Sequence, residues 1–306
     1  MYDWITVTHI IAQVGYYTTT FFGTTLMCLT YFGVKRSFGM YKYLMMVFTG
    51  LGMVFATLEY LIYPTCHAYN AGYIFFFASR PFGAPKSVME VAASLYTMIF
   101  AATISLLAVQ FLYRYWAVFD APKLKWFKGC RFVLWILYAL TFGSFWGLSC
   151  YFLTSLDDFS INYMRQEMTQ IYHVSITEVP CFAVVIYTVQ YAIIIYCGTL
   201  MKMEMNEKLQ KYSPSLRKLH KQFFLTLILQ ISGPTLFLFI PIFIFCFVPF
   251  LDIEVSLPTG ILLCAFTLYP AVDAIIVMCC ISDYRNAIRK SIKSIIEAFP
   301  QIQNKF

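Results

Sequence analysis

The sequence predicts an all-α integral membrane protein: a bundle of seven membrane-spanning helices followed by a short amphipathic helix on the cytoplasmic side. Three observations predict it. Seven apolar stretches each reach the roughly 20 residues that a helix needs to cross a hydrocarbon core about 30 Å thick. The chain is 60% hydrophobic and only 12% charged, with a mean hydropathy of +0.69, whereas charged residues make up about a quarter of an ordinary soluble domain. Finally, none of the 22 lysines and arginines falls inside those stretches.

The stretches are 10–34, 43–63, 87–113, 132–154, 179–201, 222–250 and 258–281. Each is apolar on every side, as a helix surrounded by lipid and protein must be. Barrel strands are excluded, because they are about ten residues long and alternate apolar with polar. Seven helices and their loops use most of the 306 residues, so residues 1–281 read as one bundle and 282–306 as a cytoplasmic tail. Residues 1–9 lack the basic region of a cleavable signal peptide, and the first helix is expected to serve as its own insertion signal.

Orientation follows from the loops. With the amino terminus outside, the cytoplasmic segments 35–42, 114–131, 202–221 and 282–306 hold three, five, six and five of the cations, and the outer segments only Arg80, Lys86 and Arg165. Lysine and arginine are retained on the cytoplasmic side, so the amino terminus is expected outside and the carboxyl terminus inside. The net charge of +7 therefore points to anionic lipid headgroups and not to nucleic acid. Beyond residue 281 the apolar positions change period: Tyr284, Ile288, Ile292, Ile295, Ile296 and Phe299 recur at steps of three or four, with Arg285, Arg289, Lys290 and Lys293 between them. That is a basic amphipathic helix suited to lie on the inner leaflet.

Most of the ten cysteines lie in or at the ends of the expected helices, where a thiol acts as a small hydrophobe. Cys66, Cys150 and Cys181 lie near the outer, oxidising face. A disulfide from Cys66 to either Cys150 or Cys181 is open. No Cys and His cluster has metal-ligand spacing, and no metal or cofactor is expected.

Three carboxylates remain inside the helices: Glu59, Glu90 and Asp273. Facing lipid at mid-depth, each would cost about 2.5–3.5 kcal/mol, so each must face the interior, water or another polar group. Glu59 lies about 24 Å along the second helix from its inner start, at 1.5 Å per residue. Glu90 is near the outer start of the third. Both are candidates to meet a ligand from outside, or else to bond helix ends or Arg80 and Lys86. Asp273, about 12 Å from the inner end of the seventh helix, suits a relay or packing role.

Pro234, Pro241 and Pro249 interrupt the sixth helix and Pro270 the seventh, each removing a backbone donor and permitting a kink or hinge. Arg114 stands between Tyr113 and Tyr115 at the inner end of the third helix, with Gln110 one turn deeper on the same face; it is either a topological anchor or a coupling residue. Helices three, five, six and seven offer an outer cavity lined by aromatics, among them Tyr96, Tyr187, Phe243, Phe247 and Phe266, which suits a small, mostly apolar molecule. Enzyme chemistry finds no support: there is no His-Glu-x-x-His, Gly-x-Ser-x-Gly or Gly-rich phosphate loop. A retinal Schiff base would need a lysine within the helices, and none is there. A ligand-gated channel or transporter is the alternative to a receptor, but no inverted repeat is present and the three acids lie at different depths.

Four blocks carry a family resemblance: YKYLMMVFTGLGMVFATLE (Tyr41 to Glu59), QFLYRYWAVF (Gln110 to Phe119), LHKQFFLTLILQ (Leu219 to Gln230) and YPAVDAIIVMCCISDYRNA (Tyr269 to Ala287). In order and spacing they resemble the Str class of nematode seven-helix chemoreceptors, across essentially the whole chain. The resemblance implies a G-protein-coupled receptor of chemosensory neurons, located in the sensory cilium, that binds small odorants or metabolites and acts on a heterotrimeric G protein. It makes Arg114 the counterpart of the arginine at the inner end of helix three. Tyr269, Pro270 and Asp273 become the switch region of helix seven. The segments 114–131, 202–221 and 282–290, the last including Arg285, become the G-protein surface. Relative to rhodopsin-like receptors, Tyr113 stands where an acidic lock partner would be, Asp273 follows Pro270 in place of a tyrosine, and the usual disulfide from helix three is absent.

Overall fold

The computed structural model describes residues 4–33, 39–69, 72–77, 80–153, 162, 165, 169–170, 181–182, 196, 199, 213–236, 240, 256–258 and 260–303. The α-helices described from end to end are α1 (Trp4–Cys28), α2 (Tyr41–Ile62), α3 (Lys86–Phe119), α4 (Phe132–Leu153), α5 (Pro214–Pro234), α6 (Gly260–Cys280) and α7 (Ser282–Gln303). Helix α5 starts before the sixth expected span, in the segment expected to be a loop, and overlaps only residues 222–234 of it, α6 falls in the seventh, and α7 is the tail. Among the described residues, three stretches, Tyr41–Ile62, Lys86–Ala117 and Gly129–Phe152, are long and apolar enough to cross a membrane, and Leu268–Cys280 is a shorter apolar helix.

The helix α1 falls below that mark because threonines run through its middle. Their hydroxyls are satisfied locally: Thr18 and Thr25 donate to the carbonyls of Val14 and Phe21, 2.7 and 2.8 Å away, and Thr30 to Leu26 at 2.7 Å. Such back-bonding lets a polar residue sit in an apolar setting. A π-helical turn, Leu29–Gly33, follows.

Helix α1 packs along α6 and α2, α2 on α3, α3 on α4, and α5 on α6. The core runs through Leu44, Met45 and Phe48 of α2, Ile104, Leu107 and Phe111 of α3, and Ala274 and Val277 of α6. Two seams depend on missing side chains. A Cβ on Gly143 of α4 would lie 2.7 Å from the Met98 carbonyl oxygen, and one on Gly147 2.9 Å from that of Ser94. The Gly-x-x-x-Gly spacing thus brings α4 against the α3 backbone, as small residues do between membrane helices. Likewise a Cβ on Gly52 would lie 2.8 Å from Pro270 Cβ, so α2 and α6 touch at the proline.

The expectation of an all-helical chain needs a correction. Strands β1 (Pro64–Tyr69), β2 (Gly72–Phe77), β3 (Cys181–Phe182) and β4 (Ser256–Pro258) form an antiparallel sheet in the order β3-β2-β1-β4. Three separate connections supply it: the one between α2 and α3, the region of residues 181–182, and the one before α6. The hairpin escapes a search for long apolar runs because it is two short aromatic and β-branched stretches. Only two residues separate Tyr69 from its partner Gly72, which is the tight-hairpin pattern. Because residues 181–182 are strand, the expected fifth span does not begin at 179; the rest of that span is outside the described residues except 196 and 199.

The third helix also differs from expectation. It does not stop at Tyr113 but continues to Phe119, where Asp120 donates its backbone N–H to the Trp116 carbonyl. Beyond it a short 3-10 helix, Ala121–Phe127, folds back and buries Phe127 against Tyr113, Trp116 and Trp135, with ring centroids 4.8, 5.7 and 4.7 Å away. The end of the bundle that carries the sheet is called here the sheet end, and the one with Arg114 and Phe127 the basic end.

Candidate functional site

Three polar constellations are buried at different depths along the bundle. At the sheet end, the fully buried Glu59 of α2 accepts a hydrogen bond from Tyr96 Oη of α3 at 3.2 Å. One turn away on α2, Phe55 stacks on the Tyr96 ring with centroids 4.8 Å apart. From the sheet, Phe75 reaches the same ring at 6.0 Å. One turn beyond Tyr96 on α3, Phe100 lies 5.9 Å from Phe55 and stacks on Phe266 of α6 at 5.4 Å. A carboxylate and a phenol hydroxyl therefore sit in an aromatic shell contributed by α2, α3, α6 and the sheet. The hydrogen bond offsets the cost of desolvating Glu59, which is large for an unpaired charge.

Of the residues expected to meet a ligand, Glu59, Tyr96 and Phe266 come together here. Glu90 is half-buried in the second turn of α3, and no hydrogen bond or ion pair among the described residues joins it to Glu59. Tyr187, Phe243 and Phe247 lie outside the described residues. Sequence reading missed Phe55, Phe75 and Phe100. The first and last stand four residues from Glu59 and Tyr96 on the same helix faces, a signal that was available; Phe75 lies in the unforeseen hairpin.

The sheet also bears on Cys66. Its strand register pairs Cys66 with Phe75, and Cys181 with Phe76, so β2 lies between the two cysteines. Two strand spacings of about 4.8 Å hold their backbones roughly 9.6 Å apart, beyond the 7 Å limit for a disulfide. Cys66 and Cys150 are both buried thiols in the structure.

Toward the basic end, Asp273 of α6 is buried and accepts a hydrogen bond from Gln230 Nε2 of α5 at 2.8 Å. Pro270 lies one turn before it inside α6. Tyr269 packs edge-on against Phe48 at 6.4 Å, and the Cβ position of Gly233 on α5 lies 3.3 Å from the Tyr269 ring. Tyr269 Oη has no hydrogen-bond partner among the described residues. Pro234 ends α5, while Pro241 and Pro249 lie outside the described residues.

At the basic end itself, Arg114 is buried to 7% exposure, with its guanidinium carbon 3.3 Å from the centroid of the Tyr41 ring. Tyr41 is the first residue of α2, and its hydroxyl donates to Gln110 Oε1 at 3.2 Å. Tyr113, expected to leave the arginine without an acidic neighbour, instead packs against the other aromatics, 5.4 Å from Tyr41.

Arg285 is engaged with backbone. Its Nη1 donates to the carbonyls of Cys279 and Cys280 at 2.5 and 3.0 Å, closing the last turn of α6 where a cation is favourable to the helix dipole. Two more bonds dock α7. Ser282 Oγ donates to Gln222 Oε1 of α5 at 2.6 Å, and Tyr284 Oη lies 2.9 Å from Thr30 Oγ1. Burial pushes the Tyr284 phenol up to about 12. Farther along, Ile292 and Ile296 are exposed on the same stripe, as an interfacial helix requires.

Comparison with known proteins gives one family. The family described as serpentine type 7TM GPCR chemoreceptor Str matches residues 8–190 and 183–289. G-protein coupled receptor str-33 of Caenorhabditis elegans is 35% identical over 305 residues, covering 91% of this chain and 88% of that protein. Serpentine receptor class r-10 is 26% identical in C. elegans, covering 83% and 81% of the two chains, and 25% identical in C. briggsae, covering 83% and 82%.

Proposed function

Because the chain belongs to the Str family of serpentine seven-transmembrane chemoreceptors, we propose that it spans the cell membrane of a sensory cilium seven times and acts as an odorant-type receptor. Its sheet end faces outside, binds a small molecule, and its basic end activates a heterotrimeric G protein. The family is one of receptors and not of enzymes. In this reading Glu59, Tyr96 and Phe266, with Glu90, Tyr187, Phe243 and Phe247, serve the ligand. Gln110, Arg114, Tyr269, Pro270, Asp273 and Arg285 serve coupling.

One observation carries the reading. Tyr96 and Arg114 belong to a single unbroken helix, Lys86–Phe119, about 27 Å apart at 1.5 Å per residue. A ligand that favours one placement of Tyr96 moves the same rod that holds Arg114, and only such a difference in affinity between two states shifts their balance. The aromatic shell around one carboxylate and one hydroxyl fits a small, mainly apolar molecule with a single hydrogen-bonding group.

The test is a panel of volatiles and small metabolites applied to cells that express the chain with a promiscuous G protein. A second-messenger response is expected, and it should vanish in Arg114→Ala at normal surface expression. Current without any G protein would favour a channel instead.

A further inference from the structure

We infer that Tyr41 is the positioning residue for Arg114: its ring face holds the guanidinium against the bundle wall in the resting protein. The inference deepens the reading above and rests on it for the role of Arg114 in coupling.

The geometry is specific to this pair. Arg114 Cζ lies 3.3 Å from the Tyr41 ring centroid, and both side chains are buried. A cation over a ring face is attracted by the ring quadrupole, most strongly when desolvated. The phenol cannot slide away, since its hydroxyl donates to Gln110 Oε1, one turn from Arg114 on the same face of α3. The ring is thus held at its hydroxyl end by a hydrogen bond to Gln110 and across its face by the cation of Arg114. Tyr113 backs it at 5.4 Å and is itself wedged by Phe127 at 4.8 Å. Gln110 Nε2, although buried, has no hydrogen-bond partner among the described residues. A buried donor without a partner is costly, and movement of the ring gives Gln110 a route to water. Tyr41 opens α2 whereas Arg114 belongs to α3, so separation of these two helices at the basic end breaks the contact without breaking either helix.

The experiment compares wild type, Tyr41→Phe and Tyr41→Leu in open membranes with two readouts: modification of Arg114 by phenylglyoxal, mapped by mass spectrometry, and basal nucleotide exchange on a co-expressed Gα subunit. In Tyr41→Leu, Arg114 is expected to react about tenfold faster or more, the factor a desolvated cation–π contact supplies, and basal exchange to rise. Tyr41→Phe keeps the ring face and should retain most of the protection. Should Tyr41→Leu not reach the membrane, Gln110→Met keeps the Tyr41 ring but removes the carboxamide whose oxygen orients it, and should uncover Arg114 to a smaller extent. Equal protection of Arg114 in wild type and Tyr41→Leu, or equal exposure in Tyr41→Phe and Tyr41→Leu, overturns the inference. Faster modification without a rise in exchange supports the contact and counts instead against G-protein coupling.

Discussion

Glu59 and Asp273 illustrate the two ways a carboxylate survives inside this protein. Glu59 takes a hydrogen bond from a phenol, Asp273 one from a carboxamide. Tyr96→Phe removes the donor and leaves the acid, so it should lower stability by about 1.5–3 kcal/mol, the usual worth of a hydrogen bond to a charged group. A fall of several degrees in the melting temperature of the detergent-solubilised protein is expected, and an unshifted melt would show that the bond contributes nothing. Asp273 offers a sharper contrast. Asp273→Asn keeps an oxygen acceptor for Gln230 and should melt close to wild type, whereas Asp273→Leu strands a buried carboxamide and should cost about 1–3 kcal/mol. If both variants melt alike, the Gln230 contact is not what holds α5 to α6 at this point.

Among the elements, the α3–α4 seam is the most sensitive to added bulk. A side chain at Gly147 meets the Ser94 carbonyl, which cannot move without shifting α3, and overpacking of this kind costs typically 1–3 kcal/mol. Gly147→Leu is therefore expected to reduce the folded fraction at the cell surface, while a leucine at Gly50, whose Cβ position has nothing within 4 Å, should be tolerated. Equal surface levels for the two would remove the seam from the account. The tail gives a second test: Tyr284→Phe removes the hydroxyl that meets Thr30 and should make α7 cleave faster in limited proteolysis.

These elements also show what the sequence could reveal. The long helices were legible because hydrophobic length is a property of one segment, and α4 was expected within a residue of where it ends. The continuation of α3 past Arg114 was not, since Arg114, Tyr115 and Trp116 are a charge and two amphipathic rings that read equally well as a helix or as its end. The sheet was illegible for a different reason: β3 and β4 are two and three residues long and are strands only because distant chain pairs with them. In the site, Glu59 with Tyr96 and Arg114 with Gln110 could be singled out by type and depth. Tyr41 as the partner of Arg114 could not, because the loop charges put the start of α2 and the end of α3 on the same side of the membrane but do not say which side chains meet there.

At the scale of the whole molecule, the proposed orientation makes a plain prediction. A tag after Phe306 should be labelled by antibody only once cells are permeabilised, and a tag before Met1 in intact cells. The reverse pattern would turn the molecule over and place the sheet in the cytoplasm. The sheet has one more consequence. Its edge strands come from parts of the chain more than 70 residues apart and each leans on the central hairpin, β4 through three register pairs and β3 through two. Grafting any one of these strand segments from a relative would leave the others facing a mismatched neighbour, so chimaeric receptors built one segment at a time should misfold where an exchange of all three together succeeds. The sheet thus ties three distant parts of the chain into one unit that tolerates change only when the paired segments change together.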